Sequence, residues 1–292
     1  MAAGVAAPLV RKRLRLPPPV VTATSVAAPF AICVALPRTR SRDVVTVLLQ
    51  MWGYIAHYEM PNDDPDALQR RVKIDYPVRI DRMIGLGRLP GVRLQRAFSR
   101  PGTITRLDKV LVWAHWLWFF FPHGTVVYLL TRRHEQFPRG AALIYGVFDT
   151  GVVFYWLVPT APPWYAARHR RCDPDLRRMM VEHGEAFWKD RWDPMYGFLG
   201  GNPLAAMPSL HFATSVMAAR VLRETGPVQG ALGWSYALGL GYALVHLGEH
   251  YVTDLIAGYA LTEAVRHAAP RVAPAASWVS RGVQALEARA HA

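Results

Sequence analysis

Cysteine is nearly missing from this chain: Cys33 and Cys172 are the two in 292 residues. They stand far apart, with no C-x-x-C pair and no cluster, which excludes a disulfide framework and a cysteine metal site. Lysine is scarce as well, confined to Lys12, Lys73, Lys109 and Lys189, so arginine carries most of the positive charge. Charge of either sign is absent from long stretches. Val110 to Thr131, Pro194 to Ala219 and Gly226 to Leu247 hold no Asp, Glu, Lys or Arg, and Gly140 to Ala167 holds only Asp149. A soluble helical core does not keep so many windows of this length uncharged, whereas a bilayer crossing asks for about 20 predominantly apolar residues.

What is there agrees. Trp113, Trp116, Trp118, Trp156, Trp164 and Trp234 lie within or at the ends of the uncharged stretches, where aromatic rings favour the headgroup boundary. The formal net charge is +13. Its arginines are spread over the segments flanking the apolar runs rather than collected on one soluble module, which suits lipid headgroups and argues against nucleic acid as a partner. An integral membrane protein follows, expected to be an all-α, polytopic bundle of about six spans.

Residues 1–43 are rich in Ala, Pro and Arg, with the basic run RKRLR and prolines at 17–19, 29 and 37. They are expected to form a disordered leader, with a signal peptide as the competing possibility. Residues 44–108 begin with a marginal span (VVTVLLQMWGYIAHYEM) and continue into a basic segment, 67–106, that suits short amphipathic helices on a membrane surface. Residues 109–266 form the main membrane domain, with spans expected near 109–131, 140–160, 208–224, 228–247 and 250–266, and a polar tail at 267–292. The connection 160–207 is long enough to be a re-entrant or capping segment over a site. A span leaving Pro208 and one returning to His246 put His211, the 160–207 connection and the 67–106 segment on one membrane face.

Two short motifs meet there. In HLGEHYVTD, residues 246–254, His250 and Asp254 are four apart, the spacing at which a carboxylate one helical turn along fixes an imidazole tautomer and leaves the other nitrogen as a nucleophile. Ionisable groups at a membrane helix are costly and functional by default. In MPSLH, Pro208 suits the first position of a helix, Ser209 and the free amides of that turn suit an anion, and His211 projects from the same turn.

With PSLH at 208–211, HYVTD at 250–254 followed by Gly258, and APPWY at 161–165, the chain resembles the type 2 phosphatidic acid phosphatase superfamily, and within it the branch of inositol phosphorylceramide synthases. The resemblance covers roughly residues 110–265. It implies His250 as the nucleophile that takes a phosphoryl group, Asp254 as its orienter and His211 as the acid that protonates the leaving oxygen. It implies a lipid phosphate or phospholipid substrate, no metal or other cofactor, and an active face turned away from the cytoplasm at the plasma membrane. The sequence departs from the phosphatases of that superfamily in having Leu210 for the glycine of P-S-G-H, and Ala243 and Leu244 where a Ser-Arg pair precedes the nucleophile. Their K-x6-R-P has a loose echo in Arg93, Arg100 and Pro101. The missing phosphate cations are expected from Arg168, Arg170 and Arg171, with Ser209 and His246 lining the same substrate site.

Two other classes compete. His246, Glu249 and His250 spell H-x-x-E-H, and His246, His250 and Asp254 fall on one helix side if the helix continues through Gly248, so a metal-binding hydrolase or transporter is one alternative. A noncatalytic lipid-binding protein is the other, and it predicts loss of one member of the triad. His115 and His123 are expected to pack inside the bundle, Asp149 to line a polar cavity, and WLWFFF at 116–121 to face lipid.

Overall fold

The computed structural model describes residues 2–199 and 201–292. Met1 of the expected leader and Gly200 of the long connection lie outside them. Among the described residues the fold is all-α, with isolated bridges joining Thr160 to Lys73 and to Ala205 as its only strand-like pairings. Contacts divide the chain into two compact units, residues 66–265 and a second made of residues 1–65 and 266–292.

The second unit corrects the expectation of a disordered leader. It contains α1 (Ala2–Leu14), α2 (Pro18–Ala35) and α3 (Arg40–Glu59). The prolines misled because two of them open α2, where a missing N–H costs nothing. Behind them α2 is long and apolar enough to cross a membrane. Arg11 is buried and bonded to Glu59 (3.1 Å) and Asp63 (2.9 Å), which compensates its desolvation. The expected polar tail is helical too. The last helix, α15 (Val252–Ala290), runs through it, and Glu287 pairs with Arg38 and Arg42 at 2.9 Å each.

The larger unit begins with the short helices α4 (Pro65–Arg71), α5 (Asp75–Ile84) and α6 (Pro90–Phe98), as the 67–106 segment led one to expect. Next come α7 (Arg106–Leu117) and α8 (Phe121–Arg132), bent by 49° where one continuous span was expected. Pro122 explains the break, because it cannot donate to residue 118, and the amides of Trp118, Phe119 and Phe120 fall back on tighter bonds three residues away. Then come α9 (Phe137–Leu157), the connection helices α10 (Pro163–Arg168), α11 (Met179–Trp188) and α12 (Trp192–Leu199), and the membrane-domain helices α13 (Leu210–Thr225), α14 (Pro227–His246) and the start of α15.

Among the described residues two helical stretches pass as membrane spans by length and apolarity, α2 and His134–Leu157, or three if the bent α7–α8 pair is one span. That is fewer than the six expected. The shortfall has physical causes: α13, with 16 residues, is roughly 24 Å long against a hydrocarbon core of about 30 Å, and the apolar run 194–219 is divided between α12, a turn and α13.

Three contacts set the site. Gly258 of α15 lies so close to α13 that an added Cβ would stand 2.7 Å from the Ser209 carbonyl, which lets the two helix starts touch. Thr262 Oγ1 donates to the Ala213 carbonyl at 2.9 Å and Ser209 N–H to the Asp254 carbonyl at 3.0 Å, fixing the same pair.

Candidate active site

Helix α14 stops at His246, and the chain reverses through Gly248, whose φ of +78° belongs to the left-handed region. A Cβ at Gly248 would meet the Arg177 carbonyl at 2.5 Å, so the turn has room for glycine alone. The amides of Glu249 and His250 both return to the Leu244 carbonyl, at 3.0 and 3.1 Å. His250 is therefore held on a turn between two helices rather than inside one.

Asp254 is the third residue of α15. Its Oδ2 accepts from the Tyr251 backbone N–H at 2.9 Å, capping the helix, and from His250 Nδ1 at 3.1 Å. A carboxylate only accepts, so His250 carries its proton on Nδ1 and presents an Nε2 lone pair. Asp254 is fully buried and His250 nearly so.

Opposite stands His211, with its Nδ1 3.2 Å from His250 Nε2. His211 Nδ1–H donates to that lone pair. The turn that carries it is tied on two sides, by Tyr155 Oη donating to the Pro208 carbonyl (2.9 Å) and by the Ser209 bond to Asp254. Pro208 is not the first helical residue, as its chemistry suggested. Ser209 is the cap, with its buried hydroxyl accepting from Phe212 N–H at 3.3 Å, and α13 begins at Leu210. The Ser209 hydroxyl oxygen accepts in that bond, and its O–H remains a donor. Leu210 is buried against Gly151 of α9, where a Cβ would stand 2.3 Å from a Leu210 methyl, so a glycine notch in α9 receives the side chain.

The three arginines expected to supply cations stand apart from this geometry. Arg168 and Arg170 are exposed, and Arg171 forms an exposed ion pair with Asp75, whose carboxyl it holds below its ordinary pKa. The guanidinium tied to the turn that carries His250 is that of Arg178. It lies 4.0 Å above the Trp164 ring, bonds Glu249 through Nε (2.9 Å) and Nη2 (3.2 Å), and donates to Tyr196 at 2.7 Å. Burial works against its charge, and Glu249 more than restores it, so the group titrates above an ordinary arginine. Arg178 Nη1 makes no hydrogen bond among the described residues. The sequence held one signal for it, a seven-residue separation from Arg171 that matches the K-x6-R of the resembled family. Arg93 and Arg100, where that motif was sought, are exposed.

His246 does not face His250. It is fully buried, with Nε2 2.8 Å from Asp108 Oδ1 and 3.1 Å from Ser99 Oγ, and its carbonyl accepts from Gln95 Nε2 at 2.8 Å. Gln95 closes the same clamp on the backbone of Arg177, donating to its carbonyl and accepting from its N–H. His246 is thus an anchor for the reversing turn. The metal alternative loses its premise here, because the helix breaks at Gly248 and His246, His250 and Asp254 do not converge. Among the described residues no group of three His, Cys, Asp or Glu side chains is arranged to hold a metal ion.

Two residues that the sequence did not assign complete the surroundings. Asp81 of α5 accepts from Val252 N–H (3.0 Å), Thr253 N–H (2.8 Å) and the Thr253 hydroxyl, so it caps α15 from outside the helix. His115 of α7, expected to pack, lies ring to ring with His211 at 5.0 Å. His123 does pack, on Phe148 at 5.6 Å. Asp149 is exposed on α9 rather than lining an interior cavity. The aromatic run divides: Phe119 and Phe120 are exposed, while Trp118 donates to Thr214 and lies 4.2 Å from the His211 ring.

A family model described as PAP2 superfamily matches residues 78–267, well over half of the chain and every group just described in contact with His211, His250 or Asp254. No curated protein and no solved structure matches the chain.

Proposed function

The chain belongs to the PAP2 superfamily, and we propose from that premise that it is a membrane lipid phosphatase or phosphotransferase working through a phosphohistidine at His250. Membership points to phosphatase-type chemistry on lipid phosphates in a membrane, and the apolar helices agree with an integral membrane protein. The observation that carries the finer proposal is the relay Asp254, His250, His211. One imidazole nitrogen is held by a buried carboxylate, and the other stands 3.2 Å from a second histidine.

In the first step the Nε2 lone pair of His250 attacks phosphorus, the bond from phosphorus to the leaving oxygen breaks, and the Nδ1 proton of His211 passes to that oxygen. Asp254 stabilises the positive charge that develops on the His250 ring. In the second step an oxygen of water or of an alcohol attacks the same phosphorus, the N–P bond breaks, and the proton of the attacking hydroxyl returns to His211. The substrate-free contact between the two histidines gives way to the phosphoryl group. Arg178, with one amino group unbonded, neutralises an equatorial oxygen. No step needs a metal.

Water gives a phosphatase and an alcohol gives a transferase. Two features support the transferase branch, with an inositol-phosphate-like headgroup: the Leu210 side chain seated in the Gly151 notch, and the fully buried, apolar Ala243 and Leu244 where the phosphatases carry Ser-Arg. The six spans are retained within the proposal as α3, the bent α7–α8 pair, α9, α13, α14 and the start of α15, and α2 adds a further helix long and apolar enough to cross. The active face lies outside the cytoplasm at the plasma membrane.

The test is purified protein offered a panel of 32P-labelled lipid phosphates and phospholipids, with water alone or with polyol and lipid alcohols as acceptors, beside His250→Ala and a chelator arm. Label moving to an alcohol identifies a transferase, and free phosphate alone a phosphatase. Activity lost in chelator and restored by zinc contradicts the mechanism. Full activity in His250→Ala contradicts the site, and no turnover of any lipid supports the noncatalytic alternative.

A further inference from the structure

A third histidine stands at the centre, and no motif claims it. His115 comes from the last turn of α7, just before the bend at Trp118. Its ring centroid is 5.0 Å from that of His211, which in turn is 5.4 Å from that of His250. It is 5 % exposed, buried beside the histidine that gives its proton to the leaving oxygen in the proposed mechanism.

Among the described residues the His115 ring makes no hydrogen bond. Its Nδ1 is fully buried and unpartnered, whereas His250 and His246 each have a carboxylate and His211 has His250. Buried polar atoms without a partner are rare and costly in native structures. Packing alone does not ask for an imidazole at this place, since a phenyl ring fills the same space without the penalty. A ligand rich in acceptor oxygens removes the penalty, and a phosphoryl group brings three.

We propose that His115 is a further catalytic residue that donates a hydrogen bond to an equatorial oxygen of the transferring phosphoryl group. The inference rests on the phosphohistidine reading of His250. The division of labour is then clear: His250 forms the bond to phosphorus, His211 moves the proton, and Arg178 and His115 hold the oxygens while negative charge shifts to the leaving group. The bend between α7 and α8 lies beside this cluster, with the Trp118 and His115 rings 4.2 and 5.0 Å from that of His211.

The test uses the full chain in detergent with two soluble probes, orthovanadate as a phosphoryl mimic and p-nitrophenyl phosphate as a monoester. His115→Phe and His115→Leu keep the bulk and remove the nitrogens. Each is expected to weaken orthovanadate binding and lower kcat by about ten- to a hundredfold, the scale of one hydrogen bond to a charged group, with the thermal midpoint unchanged or raised. Asn reproduces a donor near Nδ1 and Gln one near Nε2, and recovery of at least threefold by one of these substitutions is expected. Orthovanadate affinity and kcat within twofold of wild type in His115→Phe and His115→Leu overturn the proposal. His250→Ala separates the two levels. If that variant is inactive while the His115 variants match wild type, only the role of His115 fails; if it is fully active, the phosphohistidine reading fails first.

Discussion

Asp81 offers a demanding test of how the nucleophile is held, because it lies on a different helix from every motif residue. It is 1 % exposed and accepts from the amides of Val252 and Thr253, which open α15 two and three residues after His250. Asp81→Ala leaves these two half-buried donors without their partner. Each orphaned donor costs about 1–3 kcal/mol, and a lost helix cap typically about 1 kcal/mol. Part of that is returned, because burial pushes the Asp81 carboxyl above its ordinary pKa even against three donors, so its charge is itself costly. The net expectation is about 2–4 kcal/mol, or a fall of about 5–15 °C in the thermal midpoint for a unit of this size. Relaxation of the helix start moves His250, and a displacement on the order of 1 Å costs about 100-fold in rate. The assay is steady-state turnover of a lipid phosphate with thermal unfolding of the same sample: kcat falls with little change in KM, and Asp81→Asn, which keeps one acceptor, falls between. If Asp81→Ala retains wild-type kcat and midpoint, the capping argument is wrong.

Other outcomes follow from the same geometry. Asp254→Asn replaces an acceptor by an amide that no longer enforces the Nδ1–H tautomer, and kcat is expected to fall by about 10³-fold or more with the fold retained on circular dichroism. Gly248→Ala forces a Cβ into the Arg177 carbonyl at a positive φ; it is expected to abolish turnover, and a variant with normal activity would show that the turn is not as described. The folded pKa of Asp81 is raised, so folding takes up a proton at acid pH. The stabilisation linked to that proton is complete below the ordinary carboxylate pKa of about 4 and is lost as pH rises through the raised value. Thermal midpoints measured upward from about pH 4 should show this decline in wild type and not in Asp81→Asn. For sidedness, Asp175→Cys at the exposed end of the connection should label from outside intact cells. Cys172 contributes little background, since burial pushes its thiol up to about 11.

The meeting of His211, His250 and Asp254 was legible because its cues are local. His250 and Asp254 are four residues apart, and a proline-serine turn announces a helix start before His211. Connectivity alone led to the expectation that residues 67–106, 160–207 and 246–254 share one face, and the bonds of Asp81 to Val252 and of Gln95 to His246 and Arg177 bring the three segments together. Arg178 was hidden for the opposite reason. It lies among Arg168, Arg170, Arg171 and Arg177, and nothing local tells which guanidinium turns inward; Trp164 and Glu249, 14 and 71 residues away, decide it. His115 was taken for packing because an isolated histidine in an apolar run carries no spacing signal. The leader was expected to be disordered from its prolines, yet its helices include Pro8 and Pro29 in their interiors as well as Pro18 and Pro19 at a start, and the metal alternative depended on a helix that Gly248 interrupts.

The most direct measurement is a rapid acid-free quench of the enzyme during turnover of a 32P-labelled lipid phosphate, followed by mapping of any base-stable, acid-labile label. The mechanism predicts label on the peptide carrying His250, absent in His250→Ala and accumulating when the acceptor is withheld. Steady turnover with no protein-bound phosphate, or label confined to another residue, contradicts it.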